Sequence, residues 1–259
     1  MTSAAHDHGS PAASVVASMR DRRPVVGFWV VLDSLLSTEA LAHVGYDYLV
    51  LDAQHGVLDD GALHAGLVAI DAAHGPAGLV RVTSQQPADI GRALDLGARG
   101  VIVPLVDDAA QAAAAVAAAR YRGRRSWGPI RSGLRVTGTA AEIDDQVLVL
   151  AMIETASGFD QVEQILAVEG IDGVYVGPSD LALGLGAPHP DHPVQPAFDA
   201  ALDRIQGAAA AAGKIAGVHT TGHPVAGARR AAGFTMITIA SDLSHLLDAA
   251  RADLETLRD

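Results

Sequence analysis

The sequence predicts a single-domain α/β protein of the (β/α)8 (TIM) barrel class, in which eight parallel strands alternate with helices around a closed sheet. Three observations lead to this prediction. Eight short apolar runs recur along the 259-residue chain, and longer Ala-rich amphipathic stretches separate them. The runs are continuously apolar, which is typical of parallel strands covered on both faces. No glycine-rich phosphate turn follows the first run, which disfavours the alternative, an open doubly wound sheet.

The elements follow one another in strict alternation. The predicted strands cover residues 25–31, 48–52, 79–82, 100–104, 148–154, 173–176, 216–219 and 236–240. The predicted helices cover residues 38–43, 60–73, 87–96, 109–120, 158–168, 196–212, 225–232 and 242–257. Glycines such as Gly97 and Gly213 end several of these helices, as expected for a left-handed C-cap. We expect residues 1–22 to form an N-terminal segment, partly disordered and then helical, and residues 23–259 to form the barrel.

Composition limits the partners and the compartment. Hydrophobic residues make up 49% of the chain, which excludes a disordered protein, and no apolar run approaches the ~18 residues of a membrane span. The net charge of −12 disfavours nucleic acid and anionic membranes as partners. The chain has no cysteine, which excludes disulfides, thiolate nucleophiles and Cys-bound metals. The N-terminus lacks the order of a secretory signal, so we expect a cytoplasmic protein.

The basic residues are unevenly distributed. Seventeen of the 18 are arginines, and six lie close together: Arg120, Arg122, Arg124, Arg125, Arg131 and Arg135. This cluster could contact another subunit, be solvated, or bind an acidic substrate; the first two are favoured because like charges repel around one small ligand. The single lysine, Lys214, begins a predicted strand and so lies at the amino-terminal rim, away from the expected chemistry. A Schiff-base mechanism, which needs an amine nucleophile, is therefore disfavoured.

Ionisable side chains follow the carboxyl ends of several predicted strands, where barrel enzymes carry their chemistry. Asp52 and then His55 follow the second strand, and Arg81 follows the third. Glu154 ends the fifth strand, and Asp180 follows the sixth. Two carboxylates with water and substrate oxygens suit a hard divalent cation such as Mg²⁺ or Mn²⁺. A structural interpretation, in which Glu154 and Asp180 cap the helices that follow, stays open at this point.

The other polar residues at these strand ends have both functional and local interpretations. His55 could transfer protons near neutral pH, or could be a hydrogen-bonded loop histidine. Arg81 is expected to bind an anion such as a substrate carboxylate or enolate. Ser179 and Asp180 open a helix after Gly177 and Pro178, so backbone N–H groups there could hold a carboxylate.

Two further histidines, His219 and His223, also follow a predicted strand. They have no second carboxylate nearby in sequence and lack the i, i+4 spacing of a helical metal site. A histidine-based metal site is therefore disfavoured.

Five sequence segments together carry a family resemblance: GYDYLVLDAQHG, LVRV, LDLGARGVIVPLVDDAAQA, MIET and VEGIDGVYVGPSDLALGLG. Through them the chain, from about Val26 to its C-terminus, resembles the HpcH/HpaI aldolase family of metal-dependent pyruvate aldolases. The last segment is the most specific. The resemblance implies a (β/α)8 barrel that assembles as a homo-oligomer, commonly a hexamer with exchanged C-terminal helices.

The resemblance also implies roles for individual residues. Glu154 and Asp180 would bind the metal. His55 would transfer protons, and Asp95 would raise its basicity. Arg81 would stabilise the enolate oxygen. Ser179, together with its neighbours Gly177 and Pro178, would contact pyruvate through the backbone.

This sequence departs from the family pattern in three places. Gln54 stands where the family usually has Glu before the histidine, and Met152 stands where a substrate-contacting Gln is usual. Residues 122–139 form a shorter segment than usual. These changes leave the metal ligands in place and affect acceptor specificity and the proton-transfer network.

We therefore expect a class II aldolase, a carbon–carbon lyase that reversibly cleaves a 4-hydroxy-2-oxoacid to pyruvate and an aldehyde through a metal-stabilised enolate. Its cofactor would be Mg²⁺, Mn²⁺ or Co²⁺, and its partners a 2-oxoacid, an aldehyde and further copies of itself. Two alternatives are a related lyase acting on a malyl- or citramalyl-coenzyme A thioester, with residues 120–135 as nucleotide groove, and a non-catalytic oligomeric binding barrel.

Overall fold

A closed, all-parallel barrel of eight strands forms the centre of the protein. The computed structural model describes residues 11–187 and 196–258. The strands are β1 Val25–Val30, β2 Tyr48–Asp52, β3 Ala77–Arg81, β4 Gly100–Val103, β5 Leu148–Ile153, β6 Gly173–Val176, β7 Ile215–His219 and β8 Met236–Ser241. Each pairs with the next, and β8 returns to pair with β1. The predicted (β/α)8 barrel is confirmed.

Helices surround the barrel and add several short elements that the sequence pattern did not predict. The helices are α1 Pro11–Arg20, α2 Leu35–Ala42, α3 Asp60–Ala72, α4 Pro87–Asp95, α5 Ala109–Ala119, α6 Ala140–Asp144, α7 Ala156–Asp160, α8 Val162–Leu166, α9 Pro178–Gly184, α10 Pro196–Ala211, α11 His223–Ala231 and α12 Asp242–Thr256. The disorder expected for the start of the chain falls on residues 1–10, outside the described residues. None of the helices in the described ranges combines the length and hydropathy of a bilayer crossing, and the cytoplasmic location stays a prediction.

Each strand is buried on both faces, which explains the continuously apolar runs. Outward-facing residues such as Val80 and Val218 pack against the helices in one large cluster. Inward-facing residues such as Leu79 and Ile215 fill the barrel in a second cluster. The inner cluster ends at the carboxyl edge of the sheet, where polar side chains replace apolar ones.

Helix α1 closes the opposite, amino-terminal mouth of the barrel. Its buried residues Ala12, Val16 and Met19 belong to the inner cluster, and the helix contacts β1 and β3. Arg20 at its end donates a hydrogen bond of 2.7 Å to Asp172, which precedes β6. The helical part of the N-terminal segment is thus packed into the base of the barrel.

A layer of large aromatic side chains lies inside the barrel directly below the carboxyl edge. Tyr48 and Tyr175 each share a hydrogen bond with Thr238, with O–O distances of 2.9 and 2.6 Å. Trp29 stacks on Tyr175 with ring centroids 5.6 Å apart. A Cβ at Gly217 would lie 2.6 Å from the ring of Tyr175, so the glycine makes room for this layer. The layer forms a rigid floor for whatever lies above it.

The last helix, α12, is anchored mainly by its first turn. Asp242 accepts hydrogen bonds from the backbone N–H groups of Val31 and Leu32, at 3.0 and 3.2 Å. Leucines further along the helix are exposed, among them Leu246 and Leu254. In this chain α12 lies against its own β1 and β8. Exchange of the helix between subunits, and the hexamer, stay predictions.

Candidate active site

A pocket of about 270 Å³ opens at the carboxyl-terminal end of the barrel. Twelve residues line it: Trp29, Val31, Asp52, His55, Arg81, Met152, Gly177, Pro178, Ser179, Asp180, His219 and Ser241. This set contains most of the predicted site residues, drawn from strand ends far apart in sequence. Glu154 lies directly behind the pocket, against Gly177.

Asp52 and Arg81 form a buried ion pair on the floor of this pocket. They are neighbours in register, at the ends of β2 and β3. The Nε of Arg81 donates to Asp52 Oδ1 at 2.8 Å, and its Nη2 donates to Asp52 Oδ2. Arg81 also lies over the ring of Trp29, with Cζ 5.2 Å from the centroid. The forked contact fixes the guanidinium plane and leaves Nη1 as the nitrogen available to a ligand.

Asp52 accepts three hydrogen bonds in addition to the two from Arg81. Trp29 donates through Nε1 at 3.1 Å, and the backbone N–H groups of Gln54 and His55 donate at 3.0 and 3.2 Å. Burial opposes ionisation of Asp52, but the hydrogen bonds and charge of Arg81, with these other donors, lower its pKa below the ordinary value. Asp52 is therefore a firmly ionised acceptor that holds Arg81 and the loop of His55.

Glu154 is buried, with 2% of its surface exposed, and only one of its oxygens is satisfied. Oε1 accepts a hydrogen bond of 2.8 Å from the backbone N–H of Leu105, a residue held at φ +56°. Oε2 is buried and has no hydrogen-bond partner among the described residues. Burial, and more weakly the negative charge of Asp180, raise the pKa of Glu154. A buried carboxylate oxygen without a donor is costly unless a cation or proton occupies it.

Neither carboxylate is a helix cap, so the structural interpretation that the sequence left open is wrong for both. Thr155, not Glu154, caps α7, and its side chain accepts from the Gly158 N–H at 2.9 Å. Helix α9 begins after Gly177 without a side-chain cap, and Asp180 lies in its first turn with its side chain at the pocket.

These two carboxylates fit a divalent cation. The unsatisfied Oε2 of Glu154 could supply one anionic ligand, and the exposed carboxylate of Asp180 is near enough to affect the pKa of Glu154. Within residues 11–187 and 196–258, no group of three or more His, Asp or Glu side chains gathers as a metal site. Mg²⁺ and similar ions can be bound by one or two protein carboxylates when water and substrate oxygens complete their coordination shell.

The remaining predicted site residues are distributed as follows. His55 is exposed at the pocket rim, in the turn after β2. Gly177, Pro178 and Ser179 form the pocket wall at the start of α9. Their contact with a substrate stays a prediction.

Asp95 does not join them in this chain, and its expected effect on the basicity of His55 stays a prediction. It ends α4, and helices that follow barrel strands run back toward the amino-terminal face. There its carboxylate accepts a hydrogen bond of 2.6 Å from Arg125. Within one chain, the acid that contacts the His55 loop is Asp52, which binds its backbone N–H.

The arginine cluster also lies at the amino-terminal end, and five of its six residues pair with carboxylates of their own chain. Arg120 contacts Asp172 at 3.2 Å, and Arg135 contacts Asp71 at 3.1 Å. The further pairs are Arg122–Asp144, Arg125–Asp95 and Arg131–Asp71. Arg122, Arg124 and Arg135 are also exposed to solvent, and contact of the cluster with another subunit stays a prediction. A coenzyme A groove formed by this cluster would face away from the pocket, which removes the support for the thioester alternative.

Lys214 lies where the sequence predicted. It directly precedes β7 at the amino-terminal rim, and its Nζ donates a hydrogen bond of 2.9 Å to the carbonyl of Val168. It does not line the pocket, so it is not placed to form a Schiff base there.

Trp29 and His219 are among the pocket residues that the sequence analysis did not predict as site residues. Trp29 was treated as part of an apolar strand, and His219 was considered only as an unconvincing metal ligand. The inward alternation of Ile215, Gly217 and His219 along β7 is the signal that could have placed the histidine at the mouth.

Comparison with known proteins agrees with this geometry. The profile of the HpcH/HpaI aldolase/citrate lyase family matches residues 25–249. A hydroxypyruvate/pyruvate aldolase of Rhizorhabdus wittichii is 40% identical over 88% of this chain and 92% of its own. A 4-hydroxy-2-oxovalerate aldolase of Rhodococcus jostii is 38% identical over 92% and 93%. The crystal structure of a family member from Burkholderia cenocepacia J2315 superposes with a TM-score of 0.84 at 34% identity, covering 95% and 100%. The chain therefore belongs to the HpcH/HpaI aldolase/citrate lyase family and is a carbon–carbon lyase.

Proposed function

We propose that the protein is a divalent-metal-dependent aldolase that reversibly cleaves 4-hydroxy-2-oxoacids into pyruvate and an aldehyde. The observation that carries this proposal is the buried, unsatisfied Oε2 of Glu154 beside Asp180 in a pocket that also contains Arg81 and His55. The aldolase names of the relatives at 38–40% identity support the reaction class.

Glu154 and Asp180 would hold the cation. When bound, it would supply Lewis-acid stabilisation of negative charge on the keto oxygen of a 2-oxoacid. Mg²⁺, Mn²⁺ and Co²⁺ all suit a carboxylate and water ligand set.

The protein's own residues would do the rest. Breaking the C3–C4 bond leaves its electron pair on the pyruvate fragment as an enolate, and Arg81, fixed by Asp52, offers Nη1 to that negative charge. His55 would take the proton of the 4-hydroxyl as the aldehyde forms. Protonation at C3 then gives pyruvate, and the reverse sequence gives aldol addition. The Ser179 backbone would orient the pyruvate carboxylate.

The test is a retro-aldol assay over a series of 4-hydroxy-2-oxoacids, coupled to pyruvate detection, after EDTA treatment and after addition of Mg²⁺, Mn²⁺ or Co²⁺. We expect no turnover without metal and recovery with at least one ion. Glu154→Gln should lose metal affinity and turnover together, whereas the exposed Glu169→Gln should behave like the wild type. Full activity in EDTA, or trapping of pyruvate by borohydride, would contradict the proposal.

A further inference from the structure

One ionisable residue of the pocket is not used by this mechanism. His219 is the last residue of β7, and it faces the barrel interior because Ile215 and Gly217, four and two positions earlier, also do. Asp52, Arg81 and Glu154 hold the corresponding inward positions at or just after the ends of β2, β3 and β5. His219 is thus the fourth ionisable group at the carboxyl edge of the sheet.

The surroundings of His219 hold its ring in place without satisfying its nitrogens. The ring packs edge-on against Trp29, with centroids 5.2 Å apart. Trp29 in turn is fixed by its stacking on Tyr175 and by its hydrogen bond to Asp52. No hydrogen bond joins a nitrogen of His219 to another residue in the part of the chain that the structure describes. The imidazole is therefore oriented by packing while its nitrogens stay free for a ligand in the pocket.

His219 is neutral under ordinary conditions. Burial, with a smaller contribution from the positive charge of Arg81, lowers its pKa to about 4. A neutral imidazole has one N–H donor and one acceptor nitrogen. A neutral imidazole is poorly suited to a substrate carboxylate, which Arg81 and the cation would bind instead. It is well suited to a hydroxyl group, which, like the imidazole, can donate one hydrogen bond and accept another.

Four other residues of the pocket lining offer little polar chemistry to a substrate. Trp29, Val31 and Met152 present apolar surface, and the indole N–H of Trp29 is already used by Asp52. The Ser241 hydroxyl is engaged with Ser244 as the cap of α12. A substrate hydroxyl that reached these residues would find His219 as its partner, and an alkyl group would leave the imidazole unpaired.

We propose that His219 is a specificity-determining residue that hydrogen-bonds a hydroxyl group on the uncharged carbon chain of the substrate, and so favours hydroxylated over alkyl substrates. The proposal rests on the proposed aldolase function. The hydroxyl could be carried by the aldehyde or by C3 of the 2-oxoacid, and the experiment separates these two sources.

The experiment measures kcat/KM for matched pairs in which a hydroxyl replaces a methyl group. The aldehyde pair is glycolaldehyde and propanal with pyruvate; the oxoacid pair is hydroxypyruvate and 2-oxobutanoate with one fixed aldehyde. Both pairs are run on metal-loaded wild type, His219→Leu and His219→Asn. We expect His219→Leu to lower the ratio of kcat/KM for the hydroxyl substrate to kcat/KM for the methyl substrate about tenfold in one pair, because one hydrogen bond is lost. We expect His219→Asn to restore part of this ratio, because the amide can both donate and accept a hydrogen bond.

The outcomes separate the two proposals. If the ratio falls for the aldehyde pair, the hydroxyl group that His219 binds is carried by the aldehyde. If it falls for the oxoacid pair, that hydroxyl group is carried by C3 of the 2-oxoacid. If Leu lowers both members of each pair equally, or changes neither, His219 does not determine specificity and the inference is overturned. Exchange of the pyruvate methyl protons in wild type, followed by NMR, reports on the aldolase chemistry itself; its absence would instead reject the proposed function.

Discussion

At the scale of single residues, Asp52 is the side chain on which the pocket depends most. It fixes two nitrogens of Arg81, the indole of Trp29 and the backbone of the His55 turn. Changing its carboxylate to an amide keeps the shape but removes the charge and places an NH₂ group opposite one of these donors. We expect Asp52→Asn to lower kcat/KM about 100-fold because Arg81 loses its fixed orientation.

The measurement is steady-state retro-aldol kinetics together with Mn²⁺ titration by calorimetry. Metal affinity should change little, because Asp52 is not a proposed ligand. Asp203→Asn, an exposed aspartate of α10, serves as the matched control. Equal activity of the two variants would show that the fork does not position Arg81 for catalysis.

Gly177 lies where Glu154 approaches the pocket wall, and this position has no room for a side chain. Its φ of −92° is open to any residue, but a Cβ there would lie 2.8 Å from Glu154 Oε2 and 2.7 Å from the Met152 methyl. We expect Gly177→Ala to push Glu154 aside and to weaken Mn²⁺ binding roughly tenfold or more. Gly207→Ala in α10, where a Cβ meets nothing within 4 Å, should leave Mn²⁺ affinity unchanged. The same affinity in both variants would refute the proposed position of Glu154.

The sequence identified the ionisable residues at the pocket more readily than their partners. Arg81, Glu154 and Asp180 stand out because charged residues follow apolar strands. That Asp52 is the partner of Arg81 depends on the register of β2 against β3, which the sequence pattern does not contain. The resemblance likewise fixes Asp95 only as a position in the sequence, and in this chain its side chain lies at the far end of α4.

At the scale of elements, strands were easier to predict than short helices. Burial on both faces gives each strand an unbroken apolar run, so predicted and observed strands differ by two residues at most; the start of β3 at Ala77 was missed because Ala77 and Gly78 follow a turn-like Gly75-Pro76. Helices of five to seven residues, such as α6 and α9, carry no recognisable period. Their stability comes from tertiary contacts and, for α6, from a capping box at Thr139 and Glu142, which form only in the folded chain.

Helix α1 illustrates how an element outside the repeating pattern stabilises the barrel. Val16 is buried in the inner cluster at the amino-terminal mouth. We expect Val16→Ala to lower the free energy of unfolding by about 2 kcal/mol through lost burial and the cavity left behind. Urea unfolding measures this loss, and KM and kcat should be unaffected because the site is at the other end. Val44→Ala, at an exposed valine, is the control. Equal stability of the two variants would mean that α1 does not seal the barrel.

At the scale of the whole molecule, the two ends of the barrel have different charge organisation. The carboxyl end holds the pocket with its unsatisfied carboxylate. The amino-terminal end holds the arginine–aspartate pairs, which join segments distant in sequence, such as Arg135 and Asp71. The sequence pattern does not reveal these pairs, because the acidic partners lie far away in the chain, near the ends of other helices or, for Asp172, directly before β6.

His219 makes the stability of the whole chain sensitive to acid. Its pKa is about 4 in the folded protein, against an ordinary value near 6.5 in the unfolded chain. Below pH 6.5 the unfolded chain therefore binds a proton that the folded protein excludes, and stability falls as the pH drops from 6.5 toward 4. Between pH 7.5 and 5 this group alone should account for a loss of about 2 kcal/mol. His219→Gln, which cannot titrate, should lose correspondingly less over the same interval.

The check is urea unfolding of metal-free wild type, His219→Gln and His64→Gln at pH 7.5, 6.0 and 5.0. His64 is an exposed histidine of α3 and controls for the loss of a histidine as such. We expect the stability curves of wild type and His64→Gln to run parallel, and that of His219→Gln to be flatter below pH 6.5. A His219→Gln curve parallel to the other two would mean that the imidazole is protonated, or exposed, in the folded barrel. That result would also remove the neutral donor and acceptor on which hydroxyl selection by this residue depends.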